Sequence, residues 1–173
     1  VTLSPPPAIA LPAALLSQGY ALRPETDADL PFLMQLYAST REAELATVPW
    51  PPAQKQAFIA SQFDAQRRHY RAYYRGCAFD VIERDGAPGG RLYLDTLPSR
   101  LHIVDISLLP EWRGQGTGTA ILKALQRAAA GAGKNLGIMV EQFNPALRLY
   151  RRLGFADIAD HGVYLEMEWR PGA

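Results

Sequence analysis

The sequence is poor in the residues that open most chemical routes. One cysteine, Cys77, in a chain of 173 residues excludes an internal disulfide framework and denies a structural zinc its usual thiolate set. The formal net charge is only +1, so no global field draws the chain to nucleic acid or to an anionic membrane surface. No stretch approaches the roughly 20 uninterrupted apolar residues of a membrane span. The common phosphate-binding fingerprints are missing too. Gly118 is followed by Thr119 and Ala120 rather than by Lys and Ser or Thr, and no G-x-G-x-x-G starts at Gly114 or Gly116. The expectation is a cytoplasmic protein that needs no metal and holds any anion locally.

What is present suffices for one core, since 48% of the residues are hydrophobic and 20% charged. Residues 1–18 contain Pro5, Pro6, Pro7 and Pro12 and no basic start, so they read as a proline-rich extension, flexible or loosely docked, rather than a signal peptide. A single domain is expected over 19–173. It begins with a strand at Tyr20 to Arg23, then a helix capped by Thr26 or Asp27 with Leu30, Leu33, Met34 and Tyr37 at helical spacing. "REAELATVPWPP" reads as a loop or broken helix, and Pro51 to Tyr74 as a second helix.

The middle changes period. "CAFDVIER", "RLYLDTL" and "RLHIVDISLL" read as three strands, the first two joined by a turn from Asp85-Gly86 to Gly90 and the next two by Pro98-Ser99, hence antiparallel neighbours. A helix from Gly116 to Ala130 follows, then a strand at Leu136 to Val140, a helix from Pro145 to Leu153, and strands around Phe155 to Ala159 and Val163 to Trp169. The fold class is α/β, with a mixed, largely antiparallel central sheet flanked by helices.

"PEWRGQGTGTAILKAL", residues 110 to 125, spends Gly114, Gly116 and Gly118 at the start of a helix, where each glycine inside the helix costs about 1 kcal/mol against alanine. The first amides of a helix lack intrahelical acceptors and carry the positive end of the dipole, so they form an anion site that glycines leave open to a ligand. Arg113 adds a guanidinium.

Arg113, Gly116 and Gly118 spell R-x-x-G-x-G, and "NPALRLYRRLGF" places Asn144, Tyr150, Gly154 and Phe155 after the next strand. With both motifs in this order the sequence resembles the GNAT superfamily of N-acetyltransferases. The resemblance implies a GNAT-like acyl-CoA N-acyltransferase fold. It implies that the amides of Gln115, Gly116, Thr117, Gly118 and Thr119 hold the pyrophosphate of acetyl-CoA, that Leu108 and Leu109 offer their backbone to the pantetheine arm, and that Asn144 touches the cofactor. It makes Tyr150 the acid that protonates the departing thiolate. Periodicity alone puts Tyr150 on a core stripe with Ala146 and Leu153, and Asn144 before Pro145 is also a good helix cap.

An attacking alkylamine must lose a proton. On a regular strand Asp105 shares a face with Ile103 and Ser107, and His102 shares the other with Val104, Ile106 and Leu108. Asp105 is the first candidate base, with a salt bridge or a strand-edge position as its alternative readings. His102, more readily structural, and Glu141 follow. Cys77 has no histidine in a nucleophile pattern. Arg67, Arg68, Arg71 and Arg75 read as an exposed basic helix face rather than a nucleic-acid surface, and Arg148, Arg151 and Arg152 as a solvated one.

By the resemblance, Tyr37, Glu44, Trp50 and His161 fall where an acceptor would sit. The activity it implies is transfer of acetyl from acetyl-CoA to a primary amine of a small molecule or peptide, by direct attack in a ternary complex. No nucleic acid or membrane partner is expected, and a homodimer is compatible. The alternative is a catalytically silent domain that binds acyl-CoA.

Overall fold

A computed structural model of the chain describes residues 6–172; the first five residues of the proline-rich segment lie outside the described residues. The rest of that segment is docked. Pro12 caps a single turn, α1 (Ala13–Leu16), and Leu11 and Leu15 enter the main core. The domain's hydrophobic contacts therefore begin before residue 19.

Seven strands form one sheet: β1 (Tyr20–Pro24), β2 (Ala78–Arg84), β3 (Ala87–Thr96), β4 (Arg100–Leu108), β5 (Asn135–Glu141), β6 (Ala156–Asp160) and β7 (Tyr164–Trp169), in spatial order β1-β2-β3-β4-β5-β7-β6. Every pairing is antiparallel except β4 with β5. That parallel pair needs a crossover, which α4 (Thr117–Gly131) supplies. The helix buries Ile121, Leu122, Leu125 and Ala129 against the sheet, the face its spacing announces.

The long α2 (Leu30–Ala46) and α3 (Pro52–Tyr73) precede β2. A 3-10 turn at Asp27–Asp29 starts α2, with Thr26 and Asp29 in a reciprocal capping box. Arg23 of β1 grips Asp29 and Glu83 and holds the Asp29 carboxyl well below the usual carboxylate range. Two expected boundaries move. "REAELA" continues α2 to Ala46, because its alanines, leucine and glutamates favour helix and the first proline comes only at Pro49. The β2–β3 turn is only Asp85-Gly86, while Gly89 and Gly90 lie inside β3. They serve packing there: a Cβ on Gly89 would sit 2.1 Å from the Trp112 ring, and one on Gly90 2.6 Å from the Ser107 carbonyl.

Between β5 and β6, α5 (Leu147–Arg152) turns Tyr150 into the main core with Leu147, Phe155, Leu101 and Ile103. The opposite face, over β3 and β4, is closed by α3, whose Tyr70 packs edge-on against Tyr93. There Arg67 and Arg71 both donate to Glu25, whose side chain is 1% exposed. Part of the basic face expected on α3 is thus neutralised internally. Arg148, Arg151 and Arg152 are exposed, as their spacing suggests.

Candidate active site

The central strands part halfway. β4 pairs with β5 only from Arg100 to Ile103, opposite Asn135 to Ile138. Beyond that, Asp105–Leu108 stays with β3 and Met139–Glu141 stays with β7, so a wedge opens between two strand edges. The division coincides with a β-bulge: Tyr93 faces Asp105 and Leu94 faces Ile103, leaving Val104 as the extra residue.

The bulge changes which side chains share a face. Before it, Leu101 and Ile103 point into the main core; after it, Ile106 and Leu108 do. Asp105 and Ser107 therefore lie on the other face, with His102. This corrects the regular alternation, which groups Asp105 with Ile103 and His102 with Ile106 and Leu108. One inserted residue flips everything after it.

The loop after β4 is anchored at both ends. Trp112 is buried against Gly89 and meets Tyr20 edge-on, with Arg84 over its ring. Thr117, also buried, shares a hydrogen bond with the Tyr20 hydroxyl. Between these anchors Gly114 and Gly116 adopt φ of 71° and 83°, a left-handed conformation that glycine enters without strain. Gly116 caps α4 with no side-chain acceptor, and the first helical bond is Ala120 N–H to its carbonyl. Among the described residues no acceptor meets the amides of Thr117, Gly118 and Thr119. A Cβ on Gly118 would find only Leu108 Cδ1, at 3.9 Å, so the space beside its Cα is open.

The other expected loop contacts have protein partners. Leu109 N–H donates to Gly89 and its carbonyl accepts from Trp112. The Leu108 carbonyl accepts from Arg113 Nε at 2.8 Å, and the same guanidinium reaches Ser39 Oγ of α2. Gln115 donates to the Glu111 carbonyl. Asn144 Oδ1 accepts from the Ala146 amide, closing a turn ahead of α5; the helix itself starts at Leu147 with Ala146 as its N-cap and no side-chain cap, so the expected start at Pro145 under an Asn144 cap moves two residues on.

Tyr150 is 5% exposed, and its hydroxyl meets no hydrogen-bond partner among the described residues. Burial pushes the phenol well above its ordinary pKa, and the charge of Asp105 adds to the shift. Asp105 stands on the other face of the sheet from the core that holds Tyr150, yet its charge reaches the phenol.

The Asp105 carboxylate is engaged on both oxygens. Oδ2 accepts from Arg91 at 2.6 Å and from Tyr70 at 3.1 Å, and Oδ1 from Ser107 at 2.7 Å. Arg91 is 3% exposed and Asp105 11%. The salt bridge, the alternative open from sequence, is what the fold builds. Removing either partner of this pair would leave an uncompensated buried charge, a condition that costs about 3–5 kcal/mol. Asp105→Ala is expected to lower stability by about that amount, whereas a double Arg91→Leu, Asp105→Leu chain loses much less; urea denaturation of the two variants measures the difference.

Of the other expected bases, Glu141 pairs with Arg41 of α2, and His102 is buried below the parting point, stacked on Tyr74. Burial pushes its imidazole below the ordinary histidine value. Burial likewise raises the Cys77 thiol to about 12, which suits an inert cysteine. Tyr37 is buried against Phe63 with Arg41 over its ring, Trp50 packs on Phe58, Glu44 meets Arg41, and His161 meets Glu166. Two clusters were missed from sequence, Arg91 and Tyr70 around Asp105 and Arg67, Arg71 and Tyr93 around Glu25, because contacts between residues far apart in the chain leave no local pattern.

Comparison with known proteins agrees with this architecture. A family model described as "Acetyltransferase (GNAT) domain" matches residues 69–157. An N-alpha-acetyltransferase of Sulfurisphaera tokodaii is 34% identical over 96 residues, a match spanning 47% of this chain and 58% of that protein. The PaiA N-acetyltransferase of Thermoplasma acidophilum, solved with coenzyme A, superposes with a TM-score of 0.65 at 16% identity, over 87% of this chain and 98% of that one. An acetyltransferase of Thermus thermophilus gives 0.62 at 21% identity, over 88% and 96%. At these identities the structural likeness speaks for the fold alone.

Proposed function

The chain belongs to the GNAT family of acetyltransferases, and from that membership we propose that it moves an acetyl group from acetyl-CoA to a primary amine by direct attack within a ternary complex. One observation carries the reading: the first amides of α4, the helix that follows the parted end of β4, meet no acceptor among the described residues. The residues fit a CoA thioester, because the space beside the Gly118 Cα is open and those amides lack acceptors.

Each residue then has a task. Amides from Gln115 to Thr119 hold the linked phosphates through main-chain donors and the helix dipole, with Arg113 turning to them from Leu108 and Ser39. That turn releases the Leu108 carbonyl, so the edge of β4 can pair with the pantetheine arm as with another strand. Leu109, its amide and carbonyl both engaged, fixes the end of that edge. Asn144 keeps the start of α5 in place, and α5 aims Tyr150. The thioester supplies an activated acyl carbon; Tyr150 supplies the proton for its sulfur. Asp105 acts as a fixed charge on the acceptor side, positioned by Arg91. Catalysis rests on juxtaposition and on these preorganised donors.

The test is thiol release from acetyl-CoA with a panel of amino acids, peptides, polyamines and aminoglycosides, beside calorimetry with CoA alone. Turnover with at least one amine is the expected result. Binding without any turnover would instead mark a silent acyl-CoA-binding domain.

A further inference from the structure

The last polar groups of β4 on the side of the wedge belong to Leu108. The Leu109 amide donates to Gly89 of β3, and successive residues of a strand present their N–H and C=O to opposite sides, so Leu108 presents its own away from β3 and toward the wedge. That carbonyl is taken. Arg113 Nε donates to it at 2.8 Å, and another nitrogen of the same guanidinium donates to Ser39 Oγ at 3.3 Å. Ser39 is itself on a fixed element, because α2 is tied to the end of β5 through Arg41 and Glu141. Among the described residues the Arg113 guanidinium meets no carboxylate; the partners it has are two neutral oxygens.

We infer that Arg113 is a latch that selects the acyl carrier: it keeps the β4 edge shut to thioesters of phosphate-free pantetheine and opens it to those that bring a diphosphate. The inference rests on the CoA-binding reading above and adds how carriers are told apart. A guanidinium meets a phosphate through charge-assisted, forked hydrogen bonds, which are roughly twice as strong as bonds between neutral groups. A diphosphate seated on the amides of α4 therefore draws Arg113 off Leu108 and Ser39. A phosphate-free arm offers the guanidinium no anion in exchange, so it must compete with Arg113 for the Leu108 carbonyl using a neutral amide N–H alone. The same side chain thus helps one class of carrier and hinders the other.

That opposition is what the experiment reads. Calorimetry on the full chain uses CoA, dephospho-CoA, which keeps the diphosphate, and pantetheine as probes, and compares the wild type with Arg113→Ala and Ser39→Ala. Arg113→Ala is expected to weaken CoA and dephospho-CoA by at least about tenfold, the loss of a hydrogen bond to a charged group, and to tighten pantetheine by about two- to tenfold, because the Leu108 carbonyl is then unoccupied. Ser39→Ala removes one tie and leaves the guanidinium for the phosphates, so it tightens pantetheine by a smaller factor with no loss for CoA. Arg113 is exposed, and an unchanged melting temperature shows that the variants are folded. Pantetheine binding that falls or stays level in Arg113→Ala overturns the inference, since the arginine then only shapes the loop, and leaves the CoA site standing. No CoA binding by the wild type overturns the site as well.

Discussion

Gly118→Asp is expected to abolish CoA binding in calorimetry while leaving the melting temperature unchanged or slightly raised. The two effects have one cause. A carboxylate in the first turn of α4 complements the helix dipole, worth about 0.3–1 kcal/mol, and aspartate is a better helix residue than glycine. The new Cβ meets no protein atom closer than Leu108 Cδ1, so the fold has no reason to object. A phosphate arriving at the same amides meets that carboxylate at about 4 Å, where like charges repel by roughly 4 kcal/mol at an effective dielectric near 20. That repulsion weakens binding by at least about 100-fold. Gly118→Ala, which fills the space without the charge, should weaken binding less. Undiminished CoA binding by the aspartate variant would remove the pyrophosphate from this helix end.

Local pattern carried most of the fold into view. The amphipathic spacing of Ile121, Leu122, Leu125 and Ala129 and the alternation in β2 and β3 are short-range consequences of burying one face, so they are legible without coordinates. The R-x-x-G-x-G loop is legible for a related reason, since glycine is retained against its helix cost only where backbone must be reached or turned. Gly116 turns the chain, with φ of 83°, and Gly118 leaves the space beside its Cα open. Asp105 shows the limit. Its face depends on Val104, an inserted residue that disturbs no composition or turn signal, and its partner is Arg91, from the strand across the bulged ladder. Trp112 and Thr117 anchor the loop through Tyr20, nearly a hundred residues away, and nothing in the local sequence marks that contact.

Tyr150→Phe is expected to lower kcat by about 10–100-fold with CoA affinity and melting temperature nearly unchanged. The magnitude follows from the leaving group. General-acid catalysis commonly contributes 10²- to 10⁴-fold, but a thiol with a pKa near 8.5 departs tolerably well as the thiolate, so the lower end applies. Stability should hold, because the hydroxyl has no protein partner to lose and the ring stays packed on Phe155. The pH dependence gives an independent check. Burial raises the phenol above its ordinary value of 10.0, so the proton-bearing form persists throughout the neutral and mildly alkaline range. The wild-type kcat should therefore show no fall below about pH 10 that Tyr150→Phe removes. If such a limb appeared, or if turnover survived the substitution intact, the sulfur would have to take its proton from somewhere other than Tyr150, and the buried phenol would be a packing residue of α5.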